Sequence, residues 1–201
     1  MNLAKAIFRF FFFVAPLTIS IVSSADVVHS KFFLGTSAFM LANLDQGTDE
    51  PPKFYQLNLG YRLTEKDVFS IEAITWRYYG PLGIPIGGNA SDKFPGYVSA
   101  EGVGIAYQRF IWDNIYASVH ATLLAQDYFT PTSDRLRSGH QLFVAYRVGY
   151  HIALGSHFFL EPSVALTTWP VNTGLPASFQ EKEDLWPKHK FEPGFHIGYV
   201  Y

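Results

Sequence analysis

The sequence predicts an all-β protein whose strands form one eight-stranded, antiparallel, up-and-down barrel. Several segments alternate apolar side chains with polar or small ones at a period of two, which is the pattern of a strand with two unlike faces. Short and long connections alternate between these segments. Aromatic residues make up 17% of the chain and charged residues only 16%, below the roughly 25% of an average soluble domain.

The chain begins with the pattern of an export signal. Basic residues precede an apolar stretch, residues 10–22, which is followed by small residues at 23–25. The apolar stretch is shorter than the ~20 residues that a membrane-spanning helix needs. We therefore expect residues 1–25 to be a signal peptide and residues 26–201 to form a single β-barrel domain.

The carboxyl-terminal segment, Phe191–Tyr201, has the clearest alternation. Its odd-numbered positions are apolar and mostly aromatic, whereas its even-numbered positions are polar, glycine or valine. Because a strand sends successive side chains to opposite faces, one face of this strand is continuously apolar. Similar alternation marks Phe54–Leu63, Ile115–Ala125 and Gln141–Leu154. Strand-forming segments with a less regular phase are Lys31–Leu44, whose facing the sequence leaves open, Val68–Tyr78, Tyr97–Ile111 and Phe158–Thr168.

The connections predict a barrel with two unlike ends. Short connections follow the second, fourth and sixth strands, at residues 64–67, 112–114 and 155–156. Long connections follow the first, third, fifth and seventh strands, at residues 45–52, 80–95, 130–139 and 170–188. Outer-membrane barrels combine short periplasmic turns with longer external loops in this way. Both termini are then expected on the short-turn side.

The small residues on the polar faces predict which face points inward. Glycines such as Gly60, Gly104 and Gly198 weaken a solvated strand, but they make room for long side chains in a narrow interior. Aromatic residues such as Trp76 and Trp112 lie at strand ends, as in the girdles at the two membrane surfaces. We therefore expect apolar faces toward lipid, and the predicted fold is a transmembrane β-barrel.

With this facing, a set of ionisable side chains is expected to line the interior: Arg62, Glu72, His120, Arg147, His151, Glu161, Glu192 and His196. The turn at residues 155–157 would place His151 opposite Glu161. By the same reasoning, the turn at residues 64–67 would place Arg62 across from Ser70. Such pairs have two interpretations, a proton relay or catalytic His/Glu couple, and a network that neutralises buried charges. We favour the network, because an unpaired interior charge is very costly.

The sequence predicts no catalytic residue, no metal and no cofactor. It contains no cysteine, and therefore neither disulfides nor thiolate metal sites. It lacks the GxSxG, HExxH and phosphate-loop motifs, and its net charge of −2 gives no electrostatic case for nucleic acid. Ser138, His140 and Asp134 are close in sequence near an external loop, but such a trio is expected by chance in a polar loop.

Alternation, loop lengths and the terminal Tyr201 together resemble the small eight-stranded outer-membrane barrels, the group of the OmpA membrane domain and OmpX-like proteins. The resemblance is architectural and covers the whole mature chain. It implies the outer membrane of a Gram-negative-type bacterium, periplasmic termini, contact with outer-membrane lipid and lipopolysaccharide, and insertion by the barrel assembly machinery, which reads Tyr201 as its signal.

The expected function is that of a structural or surface-interaction barrel with a polar interior filled by side chains. Alternatives are an outer-leaflet enzyme that modifies lipid A, of deacylase or acyltransferase type, a narrow pore, and a barrel that binds a small apolar ligand. External loops 80–95 and 170–188 are unusually apolar. They are candidates for an external ligand or partner surface, or for a cap over the barrel mouth.

Overall fold

The computed structural model is a closed, eight-stranded β-barrel in which all neighbouring strands are antiparallel. The structure describes residues 31–38, 43, 53–80, 82, 84–85 and 93–201, so the expected signal peptide lies outside the described residues. The strands are β1 Phe32–Ser37, β2 Lys53–Arg62, β3 Asp67–Tyr78, β4 Ile84–Pro85, β5 Tyr97–Trp112, β6 Ile115–Phe129, β7 Arg135–Tyr150, β8 Ile152–Leu154, β9 Phe158–Asn172 and β10 His189–Val200. The helix α1 spans Ala177–Glu183.

The strands are arranged around the barrel in the order in which they occur in the chain, as an up-and-down barrel requires. Ten strands make an eight-stranded barrel because two of them are not separate members of its wall. β8 continues β7 beyond His151, and among the described residues the two-residue β4 pairs with the start of β10. Pairing of β1 with β10, with Leu34 opposite Tyr199, closes the sheet. The predicted eight-stranded, antiparallel, up-and-down barrel is thereby confirmed. β1 begins and β10 ends at the short-turn end of the barrel, and the other end is the long-loop end.

The β6–β7 hairpin is longer than the sequence predicted. Residues 130–134 alone connect the two strands, where a loop over residues 130–139 was expected. Arg135 lies 2.5 Å from Asp127 across the hairpin, and such polar pairs continue the ladder past the apolar part of the strands. The apolar alternation that marks a strand in the sequence is absent there, which explains the difference.

The outer surface of the barrel is apolar along the middle of its strands. Outward-facing Ile71, Val103 and Ile105 are 63%, 64% and 67% exposed, and Leu123 is 58% exposed. In β1 the alternation places Phe33, Gly35 and Ser37 inward, which settles the facing that the sequence left open. We call the outward-facing apolar surface the apolar belt.

Charged side chains on the outer surface lie toward the ends of the strands. Near the long-loop end they include Lys53, Arg77, Glu101 and Asp127. Near the short-turn end, Arg109 pairs with Asp67 at 2.6 Å. The guanidinium of Arg77 lies 4.9 Å from the centre of the Tyr97 ring. Both arginines on the apolar phase of the strands are thus accommodated outside the middle of the belt.

Side chains fill the interior in three layers. The layer at the long-loop end is an apolar cluster: Phe54, Ile74, Tyr78, Phe94, Val98, Ala100, Leu124, Tyr128, Phe143, Ala145, Ala165 and Phe179. A small cluster of Val68, Phe110 and Tyr116, with Phe33 against it, closes the short-turn end. Polar side chains occupy the layer between them. The sequence predicted a polar interior, and buried polar side chains also lie at the long-loop end, where Gln126, Gln141 and Lys190 are among the apolar residues.

Inward-facing glycines provide the space for this filling, as the sequence predicted. A Cβ atom on Gly198 would lie 2.2 Å from the ring of Phe159, and one on Gly60 would lie 1.9 Å from the ring of Phe33. An added methyl group at either position would therefore displace the ring that now occupies its space. No helix among the described residues has the length and apolar character needed to cross a bilayer.

Candidate functional site in the barrel interior

Glu72 and His120 form a hydrogen bond across the middle of the interior. Glu72 lies on β3 and His120 on β6, which are not neighbours in the sheet. Nδ1 of His120 lies 2.8 Å from Oε1 of Glu72, and Nε2 lies 3.0 Å from Oγ of Ser118. When Nδ1 donates its proton to the carboxylate, Nε2 is an acceptor and the Ser118 hydroxyl donates to it. These groups form one continuous hydrogen-bonded chain.

Ser118 is a member of this chain that the sequence-based prediction missed. It stands two positions before His120 on β6, and both side chains are on the inward face. The available signal was the Ser-x-His spacing on the polar face of a strand. That spacing alone does not predict a contact, because the imidazole must also be turned by a partner, and Glu72 lies 48 residues away in the sequence.

A second His–Glu pair lies between the middle layer and the short-turn end. Nδ1 of His151 is 2.8 Å from Oε1 of Glu161, which also accepts a hydrogen bond from Gln108 Nε2 at 3.1 Å. Ile152 is opposite Leu160 in the ladder, so His151 comes opposite Glu161. The pairing expected from the turn length is present. No serine is bonded to His151 within the part of the chain that the structure describes.

Arg147 is the buried cation of the middle layer. One of its terminal nitrogens lies 3.7 Å from Glu192, and the other donates to Ser163 Oγ at 3.0 Å. A Cβ atom on Gly194 would lie 1.8 Å from Nη1 of Arg147, so the glycine leaves space for the guanidinium. Nε of Arg147 is buried and has no hydrogen-bond partner among the described residues.

His196 lies beside this network without a hydrogen bond to it in the described residues. Its ring is stacked on that of His120, with centroids 6.3 Å apart and an angle of 15° between the planes. The residue is 9% exposed, and it comes from β10, which is not a neighbour of β6 in the sheet. The stacking therefore connects opposite walls of the barrel.

Arg62 lies apart from this network, at the short-turn mouth of the barrel. The ladder places Arg62 opposite Val68, and Gly60 opposite Ser70. The expected pairing of Arg62 with Ser70 was therefore wrong, because the register of the hairpin is shifted by two residues. Leu63 N and Thr64 N both donate to the carbonyl of Asp67, which fixes a turn centred one position earlier than assumed. The Arg62 guanidinium lies 5.2 Å from the centre of the Phe110 ring.

A cavity of about 30 Å³ lies in the middle layer, beside His120, Glu72, Arg147 and His196. A volume of roughly 10–15 Å³ holds one water molecule, so this cavity has room for about two. The polar groups around it are those that stabilise ordered water, which needs two to four hydrogen-bonding partners.

The helix α1 closes the long-loop end of the barrel. Phe179 of this helix is fully buried, with its ring stacked 5.0 Å from Phe94 and in edge contact with Tyr128 at 5.3 Å. Of residues 170–188, expected to form a binding surface or a cap, residues 170–172 continue β9, and the segment that contains α1 lies over the mouth. Of loop 80–95 the structure describes residues 80, 82, 84–85 and 93–95.

A buried lysine lies beneath this helix. Lys190 is fully buried, and its Nζ lies 4.2 Å from the centre of the Trp169 ring and 4.4 Å from that of Trp186. Trp169 Nε1 donates a hydrogen bond to Glu183. Burial raises the pKa of the Glu183 carboxyl above its usual range, and the nearby Lys190 charge opposes that rise. A cavity of about 20 Å³ adjoins Lys190 and Glu183.

The trio of Ser138, His140 and Asp134 is not connected in the structure. Ser138 Oγ accepts a hydrogen bond from Arg135 at 2.6 Å, and Asp134 accepts one from Thr132 at 2.8 Å. No hydrogen bond in the described residues links the three side chains to one another. Nowhere in the described part of the chain do three His, Asp or Glu side chains gather closely enough to hold a metal ion.

The fold and its interior define a small, closed, antiparallel β-barrel that is filled by its own side chains. Comparison of the chain with protein-family models, with curated proteins and with solved structures found no match in any of the three. The interior and the outer surface of the barrel therefore carry the functional argument.

Proposed function

We propose that the chain is an outer-membrane β-barrel of structural or surface-interaction type, with an interior closed by side chains. The observation that carries the proposal is the inverted placement of polarity. Charged Glu72, Arg147 and Glu161 are buried in the interior, whereas the outward faces of the strands expose Leu, Ile, Val and aromatic side chains. In a water-soluble barrel the arrangement is expected to be the reverse.

The extent of the apolar belt supports a lipid environment. Large apolar side chains are exposed on β2, β3, β5, β6, β7, β9 and β10, around the barrel. Soluble monomers rarely expose a contiguous apolar patch larger than a few hundred Å². Charged outward-facing side chains near the strand ends, such as Arg77 and Arg109, match the places where long basic side chains reach lipid head groups.

The loops support an orientation for this barrel. β1 and β10 begin and end where the turns 63–66, 113–114 and 155–157 lie, and outer-membrane barrels have their short turns in the periplasm. The cap formed by α1 then lies on the external side. Its exposed Leu185, 66% accessible, offers an apolar contact to an external partner.

The filled interior favours a barrel that does not conduct. Apolar clusters lie at both ends of the interior, and the cavities within it are small, about 20 Å³ beneath α1 and about 30 Å³ in the middle layer. A continuous water column requires a polar path from end to end. The apolar cluster beneath Phe179 interrupts such a path at the long-loop end.

The proposal is tested by producing the mature chain and mixing it, while unfolded, with phosphatidylcholine vesicles. We expect it to float with the vesicles on a density gradient, to resist extraction by alkaline carbonate, and to need detergent for solubility. Single-channel recording in a planar bilayer should show no steady conductance. A folded chain that remains monomeric in detergent-free buffer would overturn the membrane assignment, and a steady conductance would overturn the closed interior alone.

A further inference from the structure

We propose that Ser118 is a nucleophile activated by His120 and Glu72, and that the barrel interior hydrolyses esters with short acyl groups. This activity goes beyond the proposed structural function and does not depend on the membrane location. It rests on the hydrogen-bonded chain of these three side chains, on a buried arginine beside them whose Nε has no hydrogen-bond partner in the described residues, and on the cavity that adjoins them.

The three side chains have the roles that nucleophilic catalysis requires. A serine hydroxyl is a weak nucleophile unless an adjacent base takes its proton, and that base must in turn be held by a third group. Ser118 Oγ lies 3.0 Å from Nε2 of His120, and Nδ1 of the same ring lies 2.8 Å from Glu72. Both distances are within the usual hydrogen-bond range for such an arrangement.

Arg147 supplies positive charge next to the nucleophile. It is directly opposite Ser118 in the β6–β7 ladder, and its side chain points into the same interior. Its terminal nitrogens contact Ser163 and Glu192, but Nε is buried and has no hydrogen-bond partner in the described residues. Buried polar groups are nearly always bonded, so a free donor at this point calls for an explanation. Stabilising a developing oxyanion is one such role.

The reaction balances with these groups and water. Ser118 Oγ forms a bond to the ester carbonyl carbon while its proton passes to Nε2 of His120, and the carbonyl oxygen becomes an oxyanion near Arg147. The carbon–oxygen bond to the leaving alcohol then breaks, and His120 returns the proton to that alcohol. Water attacks the acyl-serine with His120 again as the base, which releases a carboxylic acid and restores Ser118. Glu72 remains a carboxylate that orients the imidazole.

The size of the cavity limits the substrates. The space beside His120 and Arg147 is about 30 Å³, which holds about two water molecules. An ester reaches Ser118 only if its acyl group is as small as acetyl and the surrounding side chains move apart for its alcohol. The His120 side chain keeps 15% of its accessible surface, so part of the imidazole borders this space rather than packed side chains. Long acyl chains do not fit this closed interior, which separates the site from enzymes that act on membrane lipids.

The test uses the folded full-length barrel in detergent, with p-nitrophenyl acetate as substrate and a small sulfonyl fluoride as covalent probe. We expect acetate release, and a sulfonyl adduct located on Ser118 by peptide mass spectrometry. Ser118→Ala and His120→Gln should abolish the adduct. Glu72→Gln should slow the reaction at least hundredfold, the lower range for losing general acid–base catalysis.

His151→Gln is the matched control, because it breaks the other His–Glu pair, to which no serine is bonded. It should keep both adduct and rate. Heat-dependent electrophoretic mobility verifies that each variant is folded. The proposal is overturned if the folded protein forms no Ser118 adduct, if Glu72→Gln reacts as fast as the unsubstituted chain, or if only unfolded protein is labelled. If the network were only structural, these substitutions would change the melting of the barrel, and the unsubstituted protein would form no adduct on Ser118.

Discussion

The ammonium of Lys190 lies 4.2 Å from the centre of the Trp169 ring, fully buried and without a hydrogen-bond partner in the described residues. Trp186 lies against the same ammonium at 4.4 Å. The lysine thus connects β10, β9 and the segment after α1 through two cation–π contacts. Desolvated contacts of this kind contribute about 2 kcal/mol each. The cap over the barrel mouth is held by this lysine as well as by Phe179.

Lys190→Ala is expected to loosen the cap while the barrel stays intact. Loss of one desolvated cation–π contact, at about 2 kcal/mol, corresponds to a roughly thirtyfold faster opening. Hydrogen exchange of the α1 amides measures that opening, and the amides of β5 and β6 serve as the internal reference. Lys190→Met keeps most of the apolar volume but removes the charge, so it separates lost packing from the lost cation–π contact and should speed exchange nearly as much. Equal exchange in the alanine variant and the unsubstituted chain would contradict the contact's role.

Glu183 makes the docking of the cap dependent on pH. Burial raises the pKa of its carboxyl, so the docked cap binds a proton more tightly than the open one. The resulting stability is fully present below about pH 4.3, the ordinary glutamate value, and is lost as the pH rises through the raised pKa. Protection factors of the α1 amides, corrected for intrinsic exchange, should therefore fall between these values.

Glu183→Gln is the matched variant for that measurement. A glutamine side-chain oxygen still accepts the hydrogen bond from Trp169 Nε1, but it does not titrate. Its protection factors should stay constant over the same pH range. A fall as large as that of the unsubstituted chain would assign the pH dependence to another group, such as Lys190 beneath the cap, whose charge acts on Glu183.

Glu161→Ala is expected to lower the free energy of unfolding of the barrel by about 3–5 kcal/mol, the usual cost of breaking a buried pair, and so to lower its resistance to heat. The substitution leaves His151 without its acceptor and Gln108 without its carboxylate partner. The midpoint of heat-dependent loss of folded electrophoretic mobility measures the effect. Glu101→Ala removes an exposed glutamate from the outer face of β5 and should shift that midpoint little. Unchanged melting of Glu161→Ala would count against the pair.

The alternation of side chains was sufficient to predict the barrel and much of its interior. A closed sheet has one inward and one outward face, so a period of two assigns each strand residue once a few strands are phased. Short turns carry that assignment across a hairpin, which is why the His151–Glu161 pair followed from the turn at residues 155–157.

Features that depend on side-chain detail were not predictable in this way. The register that separates Arg62 from Ser70 is set by hydrogen bonds of Thr64 with Asp67 in the turn. The helix α1 has seven residues and no side-chain cap at its start, so it is too short to be stable alone. Its formation depends on burial of Phe179, which only the closed barrel mouth provides.

The apolar belt predicts where a positive charge prevents membrane insertion. Ile105 faces outward in the middle of β5 and is 67% exposed, whereas Ser99 lies on the same face of the same strand near the long-loop end. A lysine in the middle of the bilayer costs about 2–4 kcal/mol, and near the interface only about 0–1 kcal/mol. Ile105→Lys should therefore reduce the fraction of chain folded into phosphatidylcholine vesicles, and Ser99→Lys should fold as the unsubstituted chain does. Urea titration of the vesicle-bound protein measures the difference. If both lysines shift the midpoint equally, or neither does, this surface of β5 does not face hydrocarbon.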